Sequence, residues 1–111
     1  MPSGDIPERG DAVRISLNPK ACHEQMGRRP AVVLSPAAYN RKAGLAVICP
    51  ITNQIKGYPF EVLIPEGAPV SGAVLADHVK SQDWKARKCE RISRLSDRVV
   101  DEVLAKVRAL L

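Results

Sequence analysis

The chain has 111 residues, with 17 basic against 12 acidic side chains and a formal net charge of +5 at pH 7. This length predicts a single domain, residues 1–111. The longest uncharged stretch, residues 43–55, is too short to span a bilayer, and no apolar signal-peptide segment opens the chain. We therefore expect a cytoplasmic protein that does not bind membranes.

The three cysteines, Cys22, Cys49 and Cys89, are odd in number and widely spaced. A disulfide framework needs an even set, and structural zinc sites use closely spaced Cys or His pairs. We therefore expect a reducing compartment, no bound metal and no cofactor.

Apolar stretches with strand-like composition recur after a lead-in rich in Pro, Gly and charge, residues 1–10. Residues 11–17 alternate between apolar and polar side chains, which is typical of a half-buried strand. Pro50 lies inside a later apolar run and suggests a bulge or a barrel corner. Residues 36–44 predict a turn or a single helical turn. The predicted strands are residues 11–17, 31–35, 45–52, 60–64 and 72–81, with 89–94 as a short sixth.

The last part of the chain predicts a helix. Ser96 is a good N-cap, Asp97 would lie in the first turn, and Leu95 and Val100 stand at hydrophobic-staple positions. Five or six short strands followed by one helix indicate a small, strongly bent β-barrel with a C-terminal helix. The apolar residues that recur at helical spacing, and should pack on the sheet, are Val100, Val103, Leu104, Val107 and Leu111.

The polar loop before the second strand carries a carboxylate and a cation. Glu24 can accept a proton, and Arg29 is a permanent planar cation suited to phosphate oxygens. Gly27 allows a sharp turn, and Pro30 favours an extended backbone at Arg29, at the mouth of a strand. The same residues are equally compatible with a surface ion pair worth ~0–1 kcal/mol, so the loop alone leaves both interpretations open.

Two more polar clusters lie at the end of a predicted strand or within one. Thr52 offers a donor and an acceptor on a stiff side chain. Asp77 shares a strand face with Leu75 and Val79, so we expect it to be partly buried and to need a partner. The same alternation points His78 away from Asp77. The remaining members of the two clusters are Asn53, Gln54, Lys56 and Lys80.

Basic residues concentrate late in the chain. Residues 80–98 contain seven basic and three acidic side chains, an excess of four. Such a face attracts polyanions through phosphate contacts and counterion release, although a merely solvated face is equally consistent with it. Trp84, beside Lys85 and Arg87, either stacks on a nucleobase or belongs to the core.

Three sequence blocks resemble the signature blocks of the MazF/PemK-type toxin endoribonucleases: HEQMGRRPAVVLSPAAYN, PITNQIKGYPFEV and LADHVKSQDWKAR. The similarity runs in register from Gly10 to the C-terminal helix. It implies a small SH3-like β-barrel of the MazF/PemK/CcdB-like class that forms a homodimer. It also implies metal-independent, sequence-specific cleavage of single-stranded RNA, mRNA included. The implied partner is a cognate antitoxin whose acidic, flexible tail occupies the RNA-binding groove.

The resemblance also implies roles for individual residues. The family's E-Q-x-G-x-R-P motif falls on residues 24–30, and its strand-end threonine falls on Thr52. Some relatives carry Arg at the position of Leu75, where it could pair with the strand aspartate; this chain lacks that pair. The implied catalytic residues are Arg29, Thr52 and Glu24, and the implied RNA-binding residues are His23, Gln25, Asn40, Gln54, Lys56, Asp77, Lys80 and Arg87.

These residue types suit metal-free cleavage through the ribose 2′-OH, which yields a 2′,3′-cyclic phosphate and a 5′-OH. Arg29 would stabilise the charge that develops on the phosphoryl oxygens, and the Thr52 hydroxyl would add a donor. Glu24 would act as the general base or as an orienting carboxylate. Arg28 is expected to be solvated and without a role.

Three alternatives stay open at this point. A toxin of the same fold that binds and poisons DNA gyrase would not require Glu24, Arg29 and Thr52. A non-catalytic RNA-binding module would use the basic stretch, residues 80–98. A His–His ribonuclease would use His23 and His78 as acid and base, although the strand alternation at His78 disfavours it.

Overall fold

The structure, a computed structural model, describes residues 6–16 and 28–111. Antiparallel strands and a C-terminal helix dominate these residues, which confirms the predicted fold class. The strands are β1 (Asp11–Ser16), β2 (Arg28–Val33), β3 (Leu45–Thr52), β4 (Glu61–Leu63), β5 (Ala73–Leu75), β6 (Lys80–Asp83) and β7 (Glu90–Arg94). The helices are α1 (Ala37–Ala43) and α2 (Asp97–Leu110), and a 3-10 helix covers Ala76–His78.

The seven strands form one antiparallel sheet in the order β4-β5-β3-β2-β1-β7, and β6 pairs with β3 beside this path. In the described part of the chain, no ladder joins β4 to β7, the two ends of the order. In these residues the hydrogen bonding of the sheet is therefore open, and the predicted barrel is not closed.

Strand β3 lies at the centre of the sheet and changes partners along its length. Its first residues pair with β6, and the stretch from Ile48 to Pro50 pairs with β2. Immediately after Pro50, residues Ile51 and Thr52 pair with β5 instead. Proline has no N–H to give to a ladder, so it suits a position where hydrogen bonding passes from one neighbour to another. The predicted corner at Pro50 falls at this change of partner.

Apolar side chains cover both faces of the central strands. On one face, the helix-side core contains Ala12, Val32, Cys49 and Ile51 packed with residues of α2. Because successive residues of a strand point to opposite faces, their neighbours along the chain form a second cluster. This Trp84-side core comprises Val13, Ile15, Ala31, Val33, Ala46, Ile48 and Trp84.

Helix α2 begins where the sequence predicts. The Ser96 hydroxyl accepts a hydrogen bond from the Val99 amide at 3.4 Å, and Val99, Val100 and Val103 are buried against the helix-side core. The predicted apolar stripe is wrong at its last member, because Leu111 follows the helix and is 94% exposed. Among the described residues, no helix is both long and apolar enough to cross a membrane.

Two segments differ from the sequence prediction. Residues after Pro36 form the seven-residue helix α1, longer than the expected single turn and closed by Gly44 in a left-handed conformation. The predicted strand over residues 72–81 is interrupted by the 3-10 helix. There the Ala76 amide donates to the Phe60 carbonyl oxygen at 3.0 Å, and the chain turns from β5 towards β6.

Candidate active site on strands β2 and β3

Two adjacent arginines of β2 have opposite environments because strand residues alternate between faces. Arg29 is exposed and stands opposite Ile15 of β1, on the Trp84-side face. Among the described residues, its guanidinium has no hydrogen-bond or ion-pair partner. Arg28 is only 21% exposed and donates to Glu90 Oε1 at 3.0 Å and to the Lys88 carbonyl oxygen at 3.2 Å. The expectation that Arg28 is solvated is therefore wrong.

The pairing of β2 with β3 brings Thr52 to the same face as Arg29. Ala31 stands opposite Pro50 in the last pair of this ladder, and directly opposite residues of antiparallel strands share a face. Because side chains two positions apart in a strand point to the same face, Arg29 lies on the face of Ala31 and Thr52 on the face of Pro50. Thr52 is half-buried, and its Oγ1 accepts a hydrogen bond from the Gln54 amide at 3.0 Å. This bond uses an acceptor site and leaves the hydroxyl proton to donate.

Gly72 fixes the backbone beside Thr52. Its φ is +115°, in the region that glycine adopts without strain and other residues rarely adopt. A Cβ at this position would collide with the Thr52 carbonyl group. The sequence did not single out Gly72, because the close approach involves Thr52, which is distant in the chain. The requirement for glycine ties the end of β3 to the start of β5.

Lysine and glutamine side chains surround this face. Lys80 is exposed and stands opposite Ile48 in the β3–β6 ladder, which places it on the Trp84-side face with Arg29 and Thr52. Gln54 and Lys56 are exposed in the loop that follows β3. The arrangement offers a guanidinium, a hydroxyl and two ammonium groups to an anionic ligand, with no acidic side chain of β2 or β3 among them.

Comparison with known proteins identifies the family of this chain. A family model described as "PemK-like, MazF-like toxin of type II toxin-antitoxin system" matches residues 8–111. The chain belongs to this family. The family expected from the sequence is thus confirmed.

Relatives in this toxin family match along almost the whole chain. Endoribonuclease toxin MazF of Escherichia coli K12 is 40% identical over 111 residues, which cover 100% of this chain and 99% of the relative. Endoribonuclease PemK of Escherichia coli is 36% identical over 108 residues, covering 94% of this chain and 81% of the relative.

Solved structures of toxins from Deinococcus radiodurans share the fold. A crystal structure of MazF is 49% identical, covers 96% of each chain and has a TM-score of 0.87. A crystal structure of MazE–MazF is 46% identical, with the same coverage of 96% of each chain and a TM-score of 0.87.

The toxin-family blocks include one residue that the structure removes from the candidate site. Asn40 is fully buried. Its Nδ2 donates to the carbonyl oxygens of Pro7 (2.8 Å) and Ser35 (3.1 Å), and its Oδ1 accepts from the Ser35 hydroxyl. The prediction that Asn40 contacts RNA is wrong for this conformation, because every polar atom of its side chain is used inside the protein. Trp84 is likewise a core residue, 4% exposed, and its Nε1 donates to the Asn40 carbonyl oxygen at 2.9 Å.

Asp77 and His78 differ from their predicted environments. Both lie in the 3-10 helix rather than in a strand and are exposed. Their side chains approach each other, with 3.9 Å between His78 Nε2 and Asp77 Oδ1. The expected partial burial of Asp77, and the orientation of His78 away from it, are therefore wrong. The reason is that the strand alternation does not continue through this turn.

The basic stretch of residues 80–98 is not one uniform surface. Arg87 is half-buried and donates to the Ser16 carbonyl oxygen at 3.1 Å. Arg91 and Arg94 lie 3.9 and 3.5 Å from the buried carboxylate of Asp11. Part of the basic excess therefore serves contacts within the protein.

The remaining candidates His23, Glu24 and Gln25 lie outside the described residues, as does Cys22.

Neither described cysteine is poised to act as a nucleophile. Burial, and to a smaller extent the Asp77 charge, raises the pKa of Cys49 to about 12. Burial and the Asp11 charge raise the pKa of Cys89 to about 11, with Arg28 acting in the opposite direction. Both thiols are therefore protonated near neutral pH. In the described ranges, no group of three or more His, Cys, Asp or Glu residues is placed to hold a metal ion.

Proposed function

We propose that this protein is a sequence-specific endoribonuclease toxin that cleaves single-stranded RNA without a metal ion. The family assignment supports this proposal, since the matched relatives are named endoribonucleases. The observation that carries it is the shared face of Arg29 and Thr52, where both side chains keep donors for a ligand. Cleavage of mRNA would inhibit translation, which places the action of the toxin in the cytoplasm.

The reaction uses the ribose 2′-OH as an internal nucleophile. Its oxygen attacks the adjacent phosphorus and loses its proton, the bond from phosphorus to the 5′-oxygen breaks, and that oxygen gains a proton. The products are a 2′,3′-cyclic phosphate and a 5′-OH. No water is consumed in this step, so the protein must hold the 2′-oxygen in line with the leaving oxygen.

Arg29 and Thr52 contribute electrostatic stabilisation in this proposal. Negative charge builds on the non-bridging phosphoryl oxygens as the 2′-oxygen attacks. The planar Arg29 guanidinium, which has no partner among residues 6–16 and 28–111, can donate two hydrogen bonds to these oxygens. The Thr52 hydroxyl adds a donor from the neighbouring strand. Preorganised donors of this kind typically contribute ~10²–10³ in rate each.

Glu24 is our candidate for the general base or for a carboxylate that orients the 2′-OH. Its assignment rests on the match to the family motif and on the chemistry of a carboxylate near a hydroxyl nucleophile. His23 and Gln25 of the same motif are proposed RNA contacts.

The flanking nucleotides would lie along the exposed polar side chains of the Trp84-side face. Gln54 and Lys56 can approach from the loop after β3, and Lys80 from β6, while Asp77 offers an acceptor to base edges. Arg87 can reach RNA only with the part of its guanidinium that is not bound to Ser16. Phosphate contacts by these lysines predict binding that weakens as the salt concentration rises.

We also propose a homodimer and a cognate antitoxin with an acidic, flexible tail. The crystal structures of MazE–MazF from Deinococcus radiodurans contain a toxin of similar sequence and fold together with MazE. An acidic segment would compete with RNA for Arg29 and the surrounding lysines, because both ligands are polyanions.

The test uses purified protein and single-stranded RNA in the presence of EDTA. Wild-type protein should cut RNA and leave 2′,3′-cyclic phosphate ends. Arg29→Ala and Thr52→Ala should each lower the rate by ~10²–10³ while RNA binding persists. Arg14→Ala is the matched control, since Arg14 is an exposed arginine one strand away on the opposite face; it should cut like wild type.

Other outcomes would favour the alternatives. Dependence on added metal would overturn the mechanism. Intact RNA together with arrested gyrase would favour the gyrase-binding toxin, and RNA binding without cleavage would favour a binding module. Complete loss of cleavage in His23→Ala, with Arg29→Ala still active, would favour the histidine mechanism.

A further inference from the structure

The loop between β3 and β4 is held by one carboxylate. Glu61, the first residue of β4, accepts hydrogen bonds from two successive backbone amides. The Gly57 amide donates to Oε1 at 2.9 Å, and the Lys56 amide donates to Oε2 at 3.1 Å and to Oε1 at 3.3 Å. Both carboxylate oxygens are therefore used on the backbone of the loop.

The backbone conformation of the loop is suited to this contact. Gly57 has a φ of 81°, in the left-handed region that glycine adopts without strain. Successive amides in such a turn can point towards one anion and form a concave binding site for it. The Glu61 amide in turn donates to the Tyr58 carbonyl oxygen at 3.1 Å. The side chain and the backbone amide of Glu61 therefore both form hydrogen bonds with the backbone of this loop.

A second element supports the same loop. Lys106 of α2 donates from Nζ to the Pro59 carbonyl oxygen at 2.6 Å. The C-terminal helix therefore fixes the end of the loop next to β4, while Glu61 fixes the part next to Lys56. Tyr58, between these two anchors, exposes its side chain, as do the anchored Lys56 and, two positions before it, Gln54.

Glu61 does not use its charge on a basic side chain. In the described part of the chain it forms no ion pair with Lys or Arg, although Lys56 is five positions away in the sequence. The Lys56 ammonium also has no ion pair within the described ranges, so it can bind an external anion. The carboxylate orders the backbone that carries the ammonium without neutralising it through direct contact.

We propose that Glu61 is a positioning residue that holds the loop of residues 54–58 in the conformation that binds RNA. The inference rests on the proposed function, because it takes this loop as an RNA contact. With Glu61 intact, Gln54 and Lys56 meet the RNA already ordered. Without it, the loop must be ordered during binding, which lowers affinity and leaves the chemistry at Arg29 and Thr52 unchanged.

If Glu61 acts through its charge, its removal should strengthen RNA binding; if it acts by positioning the loop, its removal should weaken RNA binding. The two roles can therefore be separated by experiment. Removing an acid from a surface that binds a polyanion should improve binding if charge alone matters. Loss of loop order should weaken it. Glu61→Gln removes the charge but keeps an amide oxygen that can accept from the Gly57 amide, whereas Glu61→Ala removes both. Glu66→Ala, at an exposed acid three positions beyond Leu63, is the matched control for charge.

The experiment measures steady-state cleavage of a short RNA and hydrogen exchange of the Lys56 and Gly57 amides. For Glu61→Ala we expect KM to rise roughly 5- to 20-fold at unchanged kcat, with faster exchange at both amides. Glu61→Gln should recover most of the KM and the protection at Gly57. Glu66→Ala should leave exchange unchanged and give a KM equal to or slightly below that of wild type.

Three results would overturn the inference. A KM for Glu61→Ala at or below that of Glu66→Ala would show that only charge matters. Faster amide exchange with an unchanged KM would show that the order of the loop is irrelevant to RNA, and the proposed function would survive this result. Wild-type protein that does not cut RNA would remove the proposed function and this inference together, whatever the amides do.

Discussion

Polar residues lie near both ends of strand β3, but their environments are opposite. At the Leu45 end, Asn40, Ser35 and Trp84 satisfy one another in the interior, and the Ser35 hydroxyl also accepts from the Val47 amide at 2.8 Å. At the Thr52 end, donors face outwards, and among the described residues the Arg29 guanidinium has no partner. One end of the strand is closed by its own hydrogen bonds, and the other is open to a ligand.

Whether a polar side chain is hydrogen-bonded inside the protein distinguishes stabilising residues from ligand-binding ones better than its residue type does. Buried polar atoms must be paired, and their loss leaves a partner unsatisfied. Exposed donors without internal partners contribute little to folding and are available for binding. Asn40 and Arg29 both belong to the family-like blocks, yet we expect their substitution to affect different properties.

The largest effect on stability is expected for Asn40→Ala. The change removes the three side-chain hydrogen bonds of a fully buried residue and leaves two carbonyl oxygens and a hydroxyl without this partner. We expect the free energy of unfolding to fall by about 2–4 kcal/mol, measured by urea denaturation. Cleavage per folded molecule should stay near wild type. Normal stability with lost cleavage would contradict the comparison and return Asn40 to the site.

Gly72→Ala should lower both the stability of the protein and its cleavage of RNA. The added Cβ collides with the Thr52 carbonyl group at a positive φ, which should cost about 1–3 kcal/mol of stability. Because relief of the collision moves the end of β3, cleavage should fall as well. Urea denaturation and RNA cleavage on the same samples test this. Gly67→Ala is the control, since its φ is also positive and no atom lies within 4 Å of the added Cβ; it should affect stability alone.

The smallest effect is expected for Arg28→Ala. Arg28 pairs with Glu90, which is 58% exposed, so loss of the pair should cost about 0–1 kcal/mol. Cleavage should remain within a few-fold of wild type, in contrast to Arg29→Ala. Thermal denaturation and initial cleavage rates of the two alanine variants, measured side by side, provide the check. Equal loss of cleavage in both would show that the alternation of the two arginines does not decide their roles.

Local patterns predicted most of the fold. Alternation located β1, apolar runs located β2 and β3, and Ser96 with its capping geometry located the start of α2. The interruption after β5 was missed because its cause is not local. The Ala76 amide bonds to Phe60, and nothing in the residues around Ala76 indicates that contact.

The candidate site could be predicted as a set of residues but not as a geometry. Motif chemistry and resemblance indicated Arg29 and Thr52, and the β2–β3 register gives them a common face. Asn40 was misassigned because its partner Pro7 lies 33 positions away. Glu61 was overlooked because its partners are backbone amides, which residue types do not reveal.

Pro50 has a consequence for the fidelity of folding. A strand that is apolar on both faces could slip by one residue and still bury hydrophobic side chains, so the hydrophobic pattern alone discriminates weakly between alignments. Proline penalises any alignment that demands an amide donor at its position. A slipped β3 would carry Thr52 to the opposite face from Arg29 and yield a compact but inactive molecule. Pro50 therefore helps the chain to avoid a misfolded form that would be hard to distinguish from the native one by compactness alone.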